Sequence, residues 1–217
     1  MKHDNTLRES ADEFYYDVSP RSKYRELKRQ VFHIALGLFI ILLVIIFGRL
    51  NIAVFLTFIL FTGGLLSFIH KKHQLSYVDR VLEHFDRDDD RKLFPGKGAF
   101  FYIFGCTITL FIFPRDVALA GVAVLAVGDS VSHLFGNYVK RRIRDSRTEK
   151  IIEGSILGVV VSSLVASFFV DPLFAFIGSA VAMAAEISED SFFGLDDNFY
   201  IPFIASLVIF LLNVLIG

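Results

Sequence analysis

The chain reads as an all-α integral membrane protein of about seven transmembrane helices, N-terminus cytoplasmic and C-terminus outside. Three observations predict this. Hydrophobic residues make up 54% of the 217 positions and charged ones only 21%, outside the range of ordinary soluble domains. Apolar runs of about 16 to 20 residues recur, enough to cross a hydrocarbon core of roughly 30 Å. The basic residues alternate from loop to loop: seven Lys and Arg precede the first run, one (Arg49) comes after it, and seven lie between His70 and Lys97. One more (Arg115) comes next, then six from Lys140 to Lys150, then none. Basic excess in alternate loops orients the bundle by the positive-inside rule.

The expected spans are Val31–Gly48, Asn51–Ile69, Ala99–Phe113, Val117–Phe135, Gly154–Val170, Pro172–Ile187 and Tyr200–Ile216. Residues 1–18 read as a mobile polar tail and 19–217 as one polytopic membrane domain. A polar start of thirty residues predicts no cleavable signal peptide. The lone cysteine, Cys106, allows no disulfide within one chain.

Ser19-Pro20 suits an N-cap with proline in the first helical position. In the helix that starts there, Arg29, His33 and Gly37 are four apart and share a face. Beyond the second span, Leu75, Val78, Val81, Leu82 and Phe85 form a stripe at helical spacing, which predicts a short helix on the cytoplasmic surface. The run Asp86 to Asp90 is not a calcium loop: the glycine and glutamate positions of an EF-hand fall on Arg91 and Lys97. It reads as a solvated charge run. Pro95-Gly96-Lys97-Gly98 predicts a tight turn that leaves a lysine at the membrane surface. No Walker loop occurs anywhere.

The fourth span is rich in small residues (Ala118, Ala120, Gly121, Ala123, Ala126), which permit close helix contact. Asp129, His133, Gly136 and Lys140 share a face at its cytoplasmic end. At 1.5 Å per residue, Asp129 sits roughly 18 Å across and about 10 Å short of the boundary. A carboxylate at that depth marks a functional site and calls for a cation or polar partner. Gly154-Ser155 opens the fifth span, where free backbone N–H groups of a helix start suit a phosphate. Asp171-Pro172 caps the sixth from outside. The loop from Glu186 to Asn198 then carries five carboxylates and no base, and so needs lysines and arginines from other loops or a metal.

These polar groups converge on one face: Arg29, His33, Lys97, Asp129, His133, Lys150, Glu153, Glu186 and Asp196 to Asn198. Carboxylates with several cations at a membrane surface match a magnesium-bound polyphosphate.

Gly128-Asp129 with Gly136, and then Lys150-x-x-Glu153-Gly154-Ser155, resembles the motif pair of the CTP-dependent polyprenol kinase family. That family includes dolichol kinase, phytol kinase and CTP-dependent diacylglycerol kinase, and is related to the phosphatidate cytidylyltransferases. Arg29-x-x-x-His33-x-x-x-Gly37 is similar to its entry motif, Pro95-Gly96-Lys97-Gly98 to a family loop, and Glu186 with Asp196-Asp197-Asn198-x-x-x-Pro202 to its late acidic motif. The resemblance implies transfer of the γ-phosphoryl group of CTP to a lipid alcohol. It implies Mg2+ or another divalent cation on Asp129 with Glu186, Asp196 and Asp197. Arg29, Lys97 and Lys150 would contact the triphosphate, joined at the nucleotide by Glu153, Gly154, Ser155 and Asn198. An acidic-loop aspartate would take the acceptor proton in preference to His133, and His33 and His133 would lie toward the acceptor. The chain departs from the family at Gln30, where a second base is usual, and at Ser132-His133, where small residues are.

A CTP:lipid-phosphate cytidylyltransferase is the nearest alternative, and an ion-coupled transporter the main one from another class. The transporter lacks an evident inverted repeat, and the polar groups gather at one face instead of the midplane. An intramembrane aspartyl protease would need a second buried aspartate in a span. A receptor or scaffold requires an inert acidic loop. No nucleic-acid partner is expected, and a cell membrane is favoured over an endoplasmic reticulum.

Overall fold

A computed structural model describes residues 20–73, 96–139, 147–187 and 196–217, with side chains over 24–70, 96–136, 153–186 and 196–217. The expected tail (1–18), the surface helix around Leu75 to Phe85, the Asp86 to Asp90 run, Pro95, most of the basic run from Lys140, the side chain of Lys150, and Glu189 with Asp190 lie outside these residues. Every regular element among the described residues is helical.

Helix α1 (Pro20–Phe47) starts at the proline that the Ser-Pro pair predicts. It stops at Gly48, whose φ of 84° is open to glycine and strained for other residues. The Gly48 N–H donates to the Val44 carbonyl at 2.9 Å, and α2 (Arg49–His73) starts at the next residue. Arg49 reaches back to another helix end. Its Nη1 donates to the carbonyls of Leu110 (2.9 Å) and Phe113 (2.8 Å), where α3 (Lys97–Ile112) leaves its last carbonyls without helical partners. The start of α3 is Gly96, again at positive φ (81°), in the turn predicted there.

Next comes one continuous rod in three parts. Helix α4 (Arg115–Ala123) passes into a π-helical stretch, Val124–Asp129, and then into α5 (Ser130–Val139) with α-helical dihedrals at both junctions. This rod is the centre of the molecule. Its apolar window is 83% buried, against 22–39% for the other long apolar helices. Small residues make that possible. A Cβ on Gly121 would strike Ser206 Oγ and come within 2.6 Å of the Pro202 carbonyl, and one on Gly37 would strike Ala126 and Tyr102.

Helix α6 (Arg147–Ala166) packs along α5. Helix α7 (Pro172–Ile187) and helix α8 (Asp197–Leu215) complete the bundle. Asp171 caps α7, accepting from the Leu173 N–H at 2.8 Å, and Asp196 caps α8, accepting from the Asn198 N–H at 3.3 Å. Among the described residues, four helices are long and apolar enough to cross a membrane: Tyr24–Phe47, Arg49–His70, Arg115–Gly136 and Asp197–Leu215. Lys97–Ile112, Glu153–Ala166 and Pro172–Glu186 are apolar but shorter.

Candidate functional site: a buried carboxylate–imidazole cluster

The predicted polar groups meet where α1, the central rod, α7 and α8 come together. Asp129, the last residue of the π-helical stretch, is almost wholly buried. A π-helical stretch rotates the helix beyond it to a new facing, and such stretches are frequent at functional sites. One turn on, His133 Nε2 lies 3.2 Å from Asp129 Oδ1, 4.0 Å from Glu186 Oε1 and 4.0 Å from Asp197 Oδ2. One imidazole therefore joins carboxylates from three helices. On the opposite side of Asp129, His33 Nδ1 is 3.8 Å from Oδ2. The His33 ring packs against Tyr102 with centroids 4.9 Å apart, and the Tyr102 hydroxyl donates to the His33 carbonyl at 2.9 Å.

Hydrogen bonding leaves several buried atoms over. His133 Nε2 and Asp129 Oδ1 lie within ion-pair distance, and among the described residues Asp129 Oδ1, Glu186 Oε2, Asn198 Oδ1 and His33 Nδ1 are buried without a well-formed hydrogen bond. Buried polar atoms are normally paired, and each exception calls for an explanation such as an ion. Asp129, His133 and Asp197 each offer a ligand atom within 4.8 Å of the others.

The second carboxylate of the late acidic motif sits at the rim. Asp196 Oδ1 accepts from Asn198 Nδ2 at 2.8 Å, and its Oδ2 lies 3.7 Å from Lys97 Nζ. Burial and the neighbouring Asp197 carboxylate push the Asp196 carboxyl up to about 6. Asn198 works against that rise by donating to it.

Arg29 is at the same end of α1, but its Nη2 donates to Glu26 Oε1 at 2.8 Å. Gln30, fully buried, donates to the same oxygen at 2.7 Å, and its own carbonyl accepts from Ser130 Oγ at 3.4 Å. Glu26, Gln30, Ser130, Ser132 and Tyr102 all belong to this environment, and none of them stands out in the sequence as a site residue. Only Gln30 and Ser132 carry a signal there, as departures from the family pattern.

One expectation is corrected. Gly154-Ser155 does not open a helix. Helix α6 begins at Arg147, so these residues lie beyond the first turn and their N–H groups are inside the helix's own ladder. The glycine instead allows α6 to touch α5: a Cβ there would come within 2.5 Å of the Ser132 carbonyl and 3.2 Å of the Gly136 nitrogen. Ser155 faces the same seam, its Oγ 3.4 Å from Ser132 Oγ, and Ser132 donates to Glu186 Oε1 at 3.2 Å. Glu153 is exposed.

The geometry thus brings together His33, Asp129, His133, Glu186 and Asp197, with Asp196, Asn198 and Lys97 adjoining. No family model matches the chain, and no solved structure matches it. An uncharacterized protein of Methanocaldococcus jannaschii is similar to it, 28% identical over 186 residues that cover 85% of this chain and 93% of the relative.

Proposed function

We propose that the chain is a membrane-embedded kinase that transfers the γ-phosphoryl group of CTP to the hydroxyl of a polyprenol- or dolichol-type alcohol. The observation that carries the proposal is the junction of Asp129, Glu186 and Asp197 inside an apolar helical bundle, with Lys97 and Asp196 at its rim. The same residues lie in motifs that resemble those of the CTP-dependent polyprenol kinases. On this reading all seven apolar rods cross the membrane, the N-terminus is cytoplasmic and the C-terminus outside. The cluster then faces the cytoplasm of a cell membrane.

The buried oxygens of Asp129 and Glu186, with ligand atoms of Asp129 and Asp197 within 4.8 Å of each other, support a divalent cation, Mg2+ by the family resemblance. Asp129, Glu186, Asp196 and Asp197 would hold it, and it would offset the charge of the triphosphate. The chain's own residues do the rest. Lys97 and Arg29 rest on Asp196 and Glu26, contacts that triphosphate oxygens would replace, and Lys150 and Glu153 belong to the same nucleotide region. The acceptor oxygen bonds to the γ-phosphorus as the bond from that phosphorus to its bridging oxygen breaks, and CDP leaves. The hydroxyl proton passes to the carboxylate of Asp196 or Asp197. Apolar helix faces around the cluster receive the alcohol's tail.

The test is an assay in liposomes with γ-labelled CTP, a divalent cation and a panel of lipid alcohols, with ATP as competing donor. Label in a lipid product from CTP is expected. Absence of labelled lipid across the panel would refute the proposal.

A further inference from the structure

We propose that His133 is a metal ligand, so that Asp129, His133 and Asp197, with Glu186 beside them, form a mixed imidazole–carboxylate site selective for a first-row transition ion such as Mn2+ over Mg2+. It shares carboxylates with the kinase reading and replaces the Mg2+ of that reading by a transition ion; because metal binding is read without nucleotide or lipid, failure of one is distinguishable from failure of the other.

The spacing of the donor atoms fits an ion. Around a six-coordinate ion with bonds of about 2.1 Å, neighbouring ligand atoms lie about 3.0 Å apart and opposite ones about 4.2 Å apart. His133 Nε2 stands 3.2 Å from Asp129 Oδ1, close to a neighbouring separation, and 4.0 Å from Asp197 Oδ2, close to an opposite one, while Glu186 Oε1, also 4.0 Å away, lies beside the set.

The state of the atoms agrees. Asp129 Oδ1 and Glu186 Oε2 are buried with no hydrogen-bond donor, and the Asp129 side chain is only 4% exposed.

Ligand chemistry then selects the ion. Carboxylate oxygens suit Mg2+ and Mn2+ alike, and an imidazole nitrogen shifts the preference toward transition ions, so Mn2+ is the transition ion nearest to this mixed set. His33, on the far side of Asp129, is a positioning residue in this arrangement. Its Nδ1 lies 3.8 Å from Asp129 Oδ2, and its ring and backbone are held by Tyr102.

The experiment uses the full-length protein in detergent, stripped with chelator and titrated with Mn2+ alone under electron paramagnetic resonance. One Mn2+ per chain should bind, with hyperfine coupling to an imidazole nitrogen. His133→Ala should lose that coupling and weaken binding by more than the about 10- to 100-fold typical of losing an outer-shell partner. His33→Ala should keep the coupling. Equimolar Mg2+ should displace little of the Mn2+. Bound Mn2+ with no nitrogen coupling in the unsubstituted protein would overturn the assignment of His133. So would failure to bind Mn2+, which would leave His133 as the carboxylates' counter-ion, or equal competition by Mg2+. A coupling lost only in His33→Ala would transfer the ligand role to His33.

Discussion

Gly154→Ala separates two roles for one glycine, ligand approach and helix packing. The added methyl carbon would sit 2.5 Å from the Ser132 carbonyl oxygen, about 0.9 Å short of an ordinary 3.4 Å contact, and 3.2 Å from the Gly136 nitrogen. Both neighbours are backbone atoms of α5, so no side chain can rotate away. The helices must separate. Overpacking of this kind costs about 1–3 kcal/mol, and backbone obstruction argues for the upper part of that range. Alanine's better helix propensity returns about 1 kcal/mol. The net expectation is a loss of about 2 kcal/mol, or about 4–8 °C in thermal midpoint for a chain of this size. The assay is thermal unfolding of the detergent-solubilised protein, monitored by near-ultraviolet signal or by aggregation. Ser132 bridges to Ser155 and Glu186, so the same variant should also disturb the cluster and lower activity. An unchanged or higher midpoint would refute the packing role. If nucleotide affinity alone fell, Gly154 would be a ligand-approach glycine after all.

Ser132→Ala removes the hydrogen bond to Glu186 Oε1 while Oε2 already has no partner, so a buried carboxylate loses its last donor. A loss of about 1–3 kcal/mol in stability is expected, and an unchanged thermal midpoint would show that Ser132 does not hold Glu186. Asp196 predicts a pH effect of defined sign. Its carboxyl is pushed from 3.8 to about 6 by burial and by Asp197, so the folded state holds the proton more tightly than the unfolded state does. In protein stripped of divalent ions, stability should therefore fall as pH rises from about 4 to about 6 and level off above. Asp196→Asn should flatten that slope, and an unchanged slope would assign it to other groups. Arg49→Ala should lower the thermal midpoint by removing the donors that cap the end of α3, with no effect on divalent-ion binding. Weakened ion binding would mean that the end of α3 and the cluster are coupled.

The apolar helices and the convergence of the candidate residues were legible because hydrophobicity and charge act locally. Asp129 and His133 are one helical turn apart, so their shared face came from spacing, and the contact is 3.2 Å. The same holds for the helix start at Pro20 and the cap at Asp171, where local chemistry decides. Gly154 misled because an apolar run marks where a membrane could begin, whereas a helix continues through polar residues. Helix α6 starts at Arg147, before the apolar run. Tyr102 was hidden in an apolar stretch, and its function in the fold is a hydrogen bond to a carbonyl 69 positions away. Gln30 looked like a lost base, yet it is a buried link between Glu26 and Ser130. The π-helical stretch that ends at Asp129 leaves no sequence pattern.

The most direct test of the central claim compares CTP labelled at the γ-phosphorus with CTP labelled at the α-phosphorus, in liposomes with a polyprenol, a lipid phosphate and a divalent cation. Asp129→Asn, which keeps the shape of the side chain and removes its charge, runs alongside. Label should enter the lipid only from γ-labelled CTP, and Asp129→Asn should abolish it while leaving a folded protein. Transfer of α-label to a lipid phosphate would make the protein a cytidylyltransferase. Undiminished transfer by Asp129→Asn would remove the buried cluster from the chemistry.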